Sequence, residues 1–366
     1  MNKLLSHVVA SLFVVFGLLT LQVSAQYNAS TDFLIADSVG GRIAVYDQNL
    51  VFQRYLDTVF AGVSGLTLLS PNSVAAAGTN RIKTYNSLGA TLTDFTDVRI
   101  GNARDMKSIG TTRLFVGTRN VTNAVAEFSN SGTYVRSYGS KAYTAVAVLP
   151  GGVLWASEIG SSTIDVFDIA TGTQTSTITL DGGEINADSM FYSPSTNTVL
   201  ITDFNTIAAY ERSSTGSLIR TFAGGNARLG VTRGPGGDVF ATDGAVVDRW
   251  TSAGAYVGAT DISANVGSAN NIVWAGNFAP SAASVGVSGR VVNSSGYGIS
   301  RAAVILTSGD GTAQTTTTNP FGYFKFDTVS AGQSYGVEIR HKQYAFVSQL
   351  LTVTDEISDL IFTSSK

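Results

Sequence analysis

The chain has 366 residues, of which 13% are charged, and its formal net charge is −3. This small acidic excess leaves no basic footprint for nucleic acid, and no Lys/Arg cluster suits an anionic membrane surface. The absence of cysteine excludes disulfides, thiolate metal sites and lipid attachment at an amino-terminal cysteine. The 39 glycines, together with abundant Ser and Thr, are typical of strands joined by tight turns. Since no segment of the mature chain has sustained helical periodicity, we predict an all-β fold with little helix.

The amino terminus has the pattern of a cleavable secretion signal. Lys3 lies in a short basic start, residues 8–21 form an apolar run, and residues 23–25 have the small-x-small form that a signal peptidase needs. The alternative, a membrane anchor, requires about 20 uninterrupted apolar residues, and this run is shorter. We predict that residues 1–25 are a signal peptide cleaved near Ala25, that the protein is secreted or lies at the cell surface, and that it does not insert into a membrane. An exported chain without disulfides favours a bacterial source.

A unit of strand, turn, strand, turn and strand, first seen at residues 33–56, is repeated by five later segments, which gives six units in all. An apolar residue at the centre of its first strand recurs at intervals of 40, 40, 40, 46 and 40 residues, at Leu34, Val74, Leu114, Leu154, Leu200 and Phe240. An aromatic residue near the end of the next strand keeps the same phase, at Tyr46, Tyr85, Phe128, Phe167, Tyr210 and Trp250. Periodicity of this length is the signature of a repeat architecture. We predict that these aromatic rings pack between neighbouring units.

A shorter apolar segment precedes every unit except the first. The five segments are residues 65–69, 106–109, 145–149, 189–192 and 229–232, and a sixth, residues 271–276, follows the last unit. The simplest arrangement is a closed ring in which residues 271–276 lie beside the strand around Leu34. Such closure leaves no open sheet edge for other chains to pair with. We therefore predict a six-bladed β-propeller over residues 27–278.

Several segments resemble the NHL-repeat type of propeller. Residues 35–47, IADSVGGRIAVYD, show the strand ending in Asp and the Arg-Ile strand ending in an aromatic residue, and residues 146–156, VAVLPGGVLWA, show the apolar strand and Gly turn. The strand-end Asp stands at Asp37, Asp203 and Asp243, whereas Ala77, Gly117 and Ser157 replace it elsewhere. The resemblance covers about 250 residues. It implies a scaffold whose faces bind proteins, glycans or small molecules, and it does not by itself imply an enzyme.

Residues 279–284 read as a linker to a second module, residues 285–366. Its predicted strands are residues 285–292, 303–307, 312–318, 323–328, 335–340, 350–353 and 359–363. Seven short strands with closely spaced turns predict a β-sandwich of the prealbumin or immunoglobulin kind. The segments GRVV, AAVIL, TNPFGYF and YGVEI resemble the carboxypeptidase regulatory-like family, and the sandwich is similar to the B-type repeats of bacterial surface proteins. The resemblance implies a rigid accessory or stalk, without a peptidase centre.

No catalytic constellation stands out. His7 leaves with the predicted signal, and His341 lies in the second module, where a solvated surface residue is the expectation. This argues against a Ser-His-Asp triad in the propeller and against His-bound transition metals. We assign no catalytic, cofactor-binding or metal-binding residues.

A divalent cation is the alternative. Gluconolactonase-like propellers hold such an ion at the mouth of the central channel, so a lactonase-like or lyase-like extracytoplasmic enzyme competes with a binding protein. The candidate oxygen ligands for Ca²⁺ lie near the ends of equivalent strands, at Asp37, Glu158, Asp203 and Asp243. An Asp at this position more often caps the following turn, and we favour that interpretation. No cofactor is therefore predicted, with Ca²⁺ as the alternative.

The patterns favour a secreted, non-enzymatic binding or structural protein. A propeller face would bind a protein or glycan, or copies would associate into a filament or surface layer, with the sandwich as spacer or assembly module. An apolar patch on a face would indicate a partner, whereas a deep acidic funnel would indicate an ion. Asn28, Asn120 and Asn293 match the N-glycosylation acceptor pattern, but we expect no modification in a bacterial chain.

Overall fold

The computed structural model describes residues 27–119, 124–278, 284–308, 313–330, 333–353 and 356–365. The predicted signal peptide and Asn120 lie outside the described residues. Regular structure in the described part is β, apart from two 3-10 helices at Pro235–Gly237 and Ala275–Phe278. The prediction of an all-β chain is confirmed. Among these residues, no helix has the length and apolar character needed to cross a membrane.

Six antiparallel sheets of four strands follow one another along the first part of the chain. Sheet 1 contains Asp32–Asp37, Arg42–Asp47, Phe52–Asp57 and Ala269–Trp274; sheet 2 contains Gly65–Ser70, Ser73–Gly78, Arg81–Asn86 and Thr91–Thr96; sheet 3 contains Ala103–Ile109, Arg113–Thr118, Val125–Ser129 and Tyr134–Tyr138. Sheet 4 contains Tyr143–Leu149, Val153–Glu158, Thr163–Asp168 and Gln174–Thr179; sheet 5 contains Ala187–Ser193, Thr198–Asp203, Ala209–Ser213 and Leu218–Phe222; sheet 6 contains Val231–Arg233, Val239–Asp243, Val246–Trp250 and Tyr256–Asp261.

One edge strand of each sheet, here named the channel strand, contacts the channel strands of neighbouring sheets. It is the first strand of sheets 2 to 6 and Ala269–Trp274 of sheet 1, and the contacts close a cycle from sheet 1 back to itself. Ala269–Trp274 pairs antiparallel with Asp32–Asp37, placing Val273 opposite Leu34 and Ile272 opposite Ile35. The predicted pairing of the last segment with the first strand is confirmed.

Six hydrophobic clusters fill the spaces between consecutive sheets. Each contains one of the six periodic aromatic residues: Tyr85 lies between sheets 1 and 2, Phe128 between 2 and 3, Phe167 between 3 and 4, Tyr210 between 4 and 5, Trp250 between 5 and 6, and Tyr46 between 6 and 1. All six are buried, so the predicted packing is confirmed. Fully burying a large apolar side chain contributes about 1.5–3 kcal/mol, and one such residue therefore stabilises each contact between sheets.

The second module consists of two sheets around one core. Its strands are Ser284–Val292, Tyr323–Ser330 and Ile357–Thr363 in the first sheet, and Ala303–Ser308, Ala313–Thr317, Gln333–Arg340 and Gln349–Val353 in the second. The core between them includes Val304, Val337 and Phe324. Two sheets that share a core are typical of a β-sandwich, and all seven predicted strands have a counterpart in the described residues.

Candidate functional site

The centre of the ring is occupied by a buried carboxylate. Asp105 is fully buried, and its Oδ2 accepts the backbone N–H groups of Val146 in sheet 4 and Met190 in sheet 5, each at 3.2 Å. Its Oδ1 accepts the Asn271 amide of sheet 1 at 3.1 Å and the ammonium of Lys107. A channel strand has one edge without a strand partner, so its amides point into the channel and need an acceptor. Asp105 supplies that acceptor and ties four sheets together.

A bulge at the start of the channel strand sets the position of Asp105. The pairing register of sheet 3 shifts between Ala103 and Asp105, leaving Arg104 as the extra residue. Sheets 4 and 5 shift at the equivalent place, where Thr144 and Asp188 are the extra residues. Because a bulge re-aims side chains relative to the regular alternation, these residues surround one end of the channel.

Two of the bulge residues, Arg104 and Asp188, form an ion pair across that end of the channel, here named the upper mouth. Arg104 Nη2 lies 2.8 and 2.6 Å from the two carboxylate oxygens of Asp188, and Arg119 Nη2 lies 3.7 Å from Asp188 Oδ1. Burial lowers the pKa of Arg119, and the neighbouring charge of Arg104 lowers it further. Among the described residues, Arg104 Nε is buried without a hydrogen-bond partner. Two guanidinium groups therefore share one carboxylate, and the upper mouth suits an additional acceptor.

The other end of the channel is an apolar funnel of about 270 Å³. Its walls come from all six channel strands and include Leu66, Val148, Phe191, Val231 and Trp274. These residues lie toward the ends of most channel strands, whereas the bulges lie at the starts, so the funnel opens on the face opposite the upper mouth. The Asp105 hydrogen bonds separate the two ends.

The four acidic residues considered as Ca²⁺ ligands are held separately. Asp37 accepts the N–H groups of Gly40 and Ser268 and pairs with Arg42 at 2.8 Å. Burial acts to raise the pKa of Asp37, but the hydrogen bonds from Gly40 and Arg42 outweigh it and hold that pKa below its usual value. Asp203 accepts four backbone N–H groups, from residues 185, 186, 205 and 206. The turn-capping interpretation is confirmed for both.

The other two candidates have ion-pair partners of their own. Glu158 lies 3.8 Å from Lys141, and Asp243 lies 3.9 Å from Arg228. Burial raises the pKa of Asp243, which the charge of Arg228 opposes. In the part of the chain that the structure describes, no three His, Cys, Asp or Glu side chains gather as a possible metal site. The divalent-cation alternative thus has no grouped ligand set among these residues.

Exposed apolar side chains gather on the face that carries the upper mouth. They lie on the loops that lead into channel strands and on the loops after the second strands, at Val39, Val59, Val98, Ile159, Ile185, Phe204 and Ile207. Val39, Val59 and Val98 are 78%, 77% and 79% exposed. On the loops of the opposite face, the large exposed apolar residues of the described chain are Val51 and Leu88. Exposed apolar surface is thus concentrated on one face, named here the loop face.

His341 and the connection at residues 181–184 lie outside both ends of the channel. His341 follows Gln333–Arg340, is half-buried and stacks near Tyr344 with ring centroids 5.2 Å apart. Residues 181–184 connect sheets 4 and 5, and Glu184 is fully buried against Arg212, with Nε to Oε1 and Nη2 to Oε2 both 2.8 Å. The sequence did not predict this ion pair, because neither Glu184 nor Arg212 has a counterpart in the other units.

The six sheets define a chain of the β-propeller-like class, followed by a second all-β module. Residues 286–363 match the family described as "Carboxypeptidase regulatory-like domain", which confirms the predicted resemblance of this module. The match covers the second module and does not extend to the six sheets.

Among the solved structures that are similar to this chain, two cover about two thirds of it. One is a protein of unknown function from Bacteroides caccae, with a TM-score of 0.53 and 10% identity, covering 66% of this chain and 98% of that chain. The other is a chain from a Nidogen/Laminin complex, with a TM-score of 0.56 and 14% identity, covering 66% of this chain and 97% of that chain. At these identities the likeness concerns the fold. No curated protein matches the chain.

Proposed function

We propose that this protein is a secreted, six-bladed NHL-like propeller that binds a protein partner on its loop face, with the carboxypeptidase regulatory-like module as spacer. The observation that carries the proposal is the concentration of seven exposed apolar side chains on that face. Exposed apolar side chains gathered on one face are typical of a protein interaction site. The similar chain in a Nidogen/Laminin complex is itself part of a protein assembly, which supports the same use of this fold.

The charges at the upper mouth define the partner's chemistry. Arg104 and Arg119 share Asp188, and the side chain of Arg119 is 39% exposed, so a partner can reach it. A carboxylate from a partner would complete this arrangement, since charge-assisted hydrogen bonds to guanidinium are the stronger kind. The partner would therefore present an acidic side chain surrounded by apolar ones. The NHL-like propeller would bind this partner without catalysing a reaction.

Substitution of loop-face residues tests the proposal. A triple variant, Val59→Lys, Val98→Lys and Phe204→Lys, is expected to reduce recovery of the native partner at least about tenfold, because central apolar contacts dominate interface energetics. The matched control, Val51→Lys with Leu88→Lys, carries the same kind of change on the opposite face and should leave recovery unchanged. Exported protein, whose sequence should begin at Gln26, is cross-linked in its native medium, and the linked residues are located by mass spectrometry.

Exposed residues contribute little to stability, about ±0.5 kcal/mol each, so both variants should unfold at the same denaturant concentration as the parent. Equal recovery with the loop-face variant and the parent would overturn the proposal. So would equal loss in the control. Links between two copies of the chain, or adducts of a glycan in place of a protein, would show that the face serves self-association or carbohydrate binding.

A further inference from the structure

We infer that the apolar funnel on the opposite face binds a small amphipathic carboxylate, with its apolar tail against the channel strands and its head at Lys107. The funnel lies at the opposite end of the channel from the loop face, and the hydrogen bonds from Val146, Met190 and Asn271 to Asp105 lie between the two ends. It is also distinct from the four acidic loop residues, which lie at the other end.

The lining of the funnel selects an apolar tail. Leu66, Val148, Phe191, Ile272 and Trp274 come from four different channel strands, with Ile272 and Trp274 on the same one, and together they give the funnel a mainly apolar wall. An apolar cavity of about 150 Å³ accepts benzene, and the funnel, at about 270 Å³, has room for a ligand of roughly twice that size. Pockets for drug-sized ligands begin at about 300 Å³. A short aliphatic or phenylalkyl chain fits this space.

The head group is selected by Lys107, the one charged residue of the lining. Its ammonium has three donors, and among the described residues Asp105 is its one hydrogen-bond partner. Asp105 does not depend on Lys107 alone, because it also accepts the amides of Val146, Met190 and Asn271. The formal charges of the pair cancel, and these three amides stabilise the negative charge of Asp105 without using the remaining donors of Lys107. An anionic head can therefore share Lys107 with Asp105.

The polar atoms near Lys107 do not compete for this role. Ser108 donates to the carbonyl of Leu68 at 2.6 Å, and the hydroxyls of Ser108 and Thr67 lie 3.2 Å apart. The two hydroxyls are hydrogen-bonded to each other, and Ser108 is also bonded to a backbone carbonyl of the neighbouring channel strand. Recognition of a negative head then rests on Lys107.

Calorimetric titration of the full chain with octanoate, octanol and butyrate tests the inference. Octanoate is expected to bind one site, about tenfold tighter than octanol because it gains a charge-assisted contact. Butyrate should bind more weakly than octanoate because it buries less apolar surface. Lys107→Met should remove the preference for octanoate over octanol while leaving octanol binding unchanged.

A second variant keeps the test valid if Lys107→Met fails to fold. Val148→Trp places a large side chain in the funnel wall without touching the Asp105 hydrogen bonds, and it should abolish binding of both octanoate and octanol. Val135→Trp, on the exposed fourth strand of sheet 3, is the matched control and should bind like the parent. Absence of octanoate binding to the parent, or binding that Val148→Trp leaves unchanged, would overturn the inference. Loss of loop-face binding in the experiments above would leave this result unaffected.

Discussion

Replacing Asp105 with alanine is expected to lower the free energy of unfolding by about 3–5 kcal/mol, because removing one partner of a buried pair leaves the other uncompensated. In this case Lys107 would lose its counter-ion, and the inward-facing amides of Val146 and Met190 would lose their acceptor. Each buried donor left unsatisfied adds about 1–3 kcal/mol to the cost. The change should reduce the urea midpoint of the whole six-sheet array, since Asp105 contacts four of its sheets.

The matched control for this variant is Asp94→Ala. Asp94 also pairs with a cation, Arg81, but both side chains of that pair are more than one third exposed. Exposed pairs contribute about 0–1 kcal/mol, so the control should unfold almost like the parent. Similar urea midpoints for the Asp105 and Asp94 variants would contradict a structural role for the channel carboxylate.

The second large effect is expected at Arg212. Its guanidinium is 1% exposed and makes two parallel hydrogen bonds to Glu184, whose side chain is 0% exposed. Arg212 also donates to the carbonyl of Gly216 at 2.8 Å. Arg212→Met should lower the free energy of unfolding by about 3–5 kcal/mol because Glu184 would remain buried without a counter-ion.

A double-mutant cycle separates this effect from lost packing. Glu184→Leu combined with Arg212→Met replaces the pair by apolar side chains, a change that is often neutral or stabilising in buried ion pairs. The double variant should therefore recover most of the stability that Arg212→Met alone loses. Arg212→Lys should be intermediate, because an ammonium keeps the charge but cannot make both parallel bonds. An additive cycle, with no recovery in the double variant, would contradict a direct pair between the two residues.

The order of the strands could be predicted from the sequence because each unit contains one aromatic residue, at a regular interval, that packs between neighbouring sheets. The interval of about 40 residues fixes the position of the buried aromatic in each space between sheets, and the missing first segment required a partner from the far end of the ring. Residues 271–276 were the one apolar segment left to fill that place. The prediction of the pairing with Leu34 followed from this count, and the described strands bear it out.

The channel could not be predicted in the same way. The proposed segment at residues 106–109 begins after the bulge, so Arg104 and Asp105 were left outside it, although the strand starts at Ala103. A bulge changes which side chains face inward without changing the apolar pattern that defines a strand. Asp105 also has no counterpart in the repeat, since equivalent positions hold Ala145 and Ser189. A residue that is present in only one unit, such as Asp105, does not show in a pattern that is defined by what all six units share.

The position of the loop face could not be predicted from the sequence either. Each of its apolar residues stands alone in a polar loop, and single exposed apolar residues are ordinary on protein surfaces. Their meaning depends on the ring, which brings loops as distant in sequence as Val39 and Phe204 to the same face. The sequence predicted that a face would be used, and the three-dimensional arrangement indicates which one.

Closure of the ring is tested most directly by cysteine pairs, because the chain has no native cysteine. Two adjacent pairs bridge the closing strands, Leu34 with Val273 and Ile35 with Ile272. Positions in an antiparallel ladder alternate between closer and wider Cα separation, and disulfide formation is sensitive to that spacing. At least one of the two double-cysteine variants is expected to form an intramolecular disulfide on mild oxidation, whereas Leu34→Cys with Phe191→Cys should form none. Absence of a disulfide in both variants, or equal formation in the control, would contradict the closed ring on which both proposed binding surfaces depend.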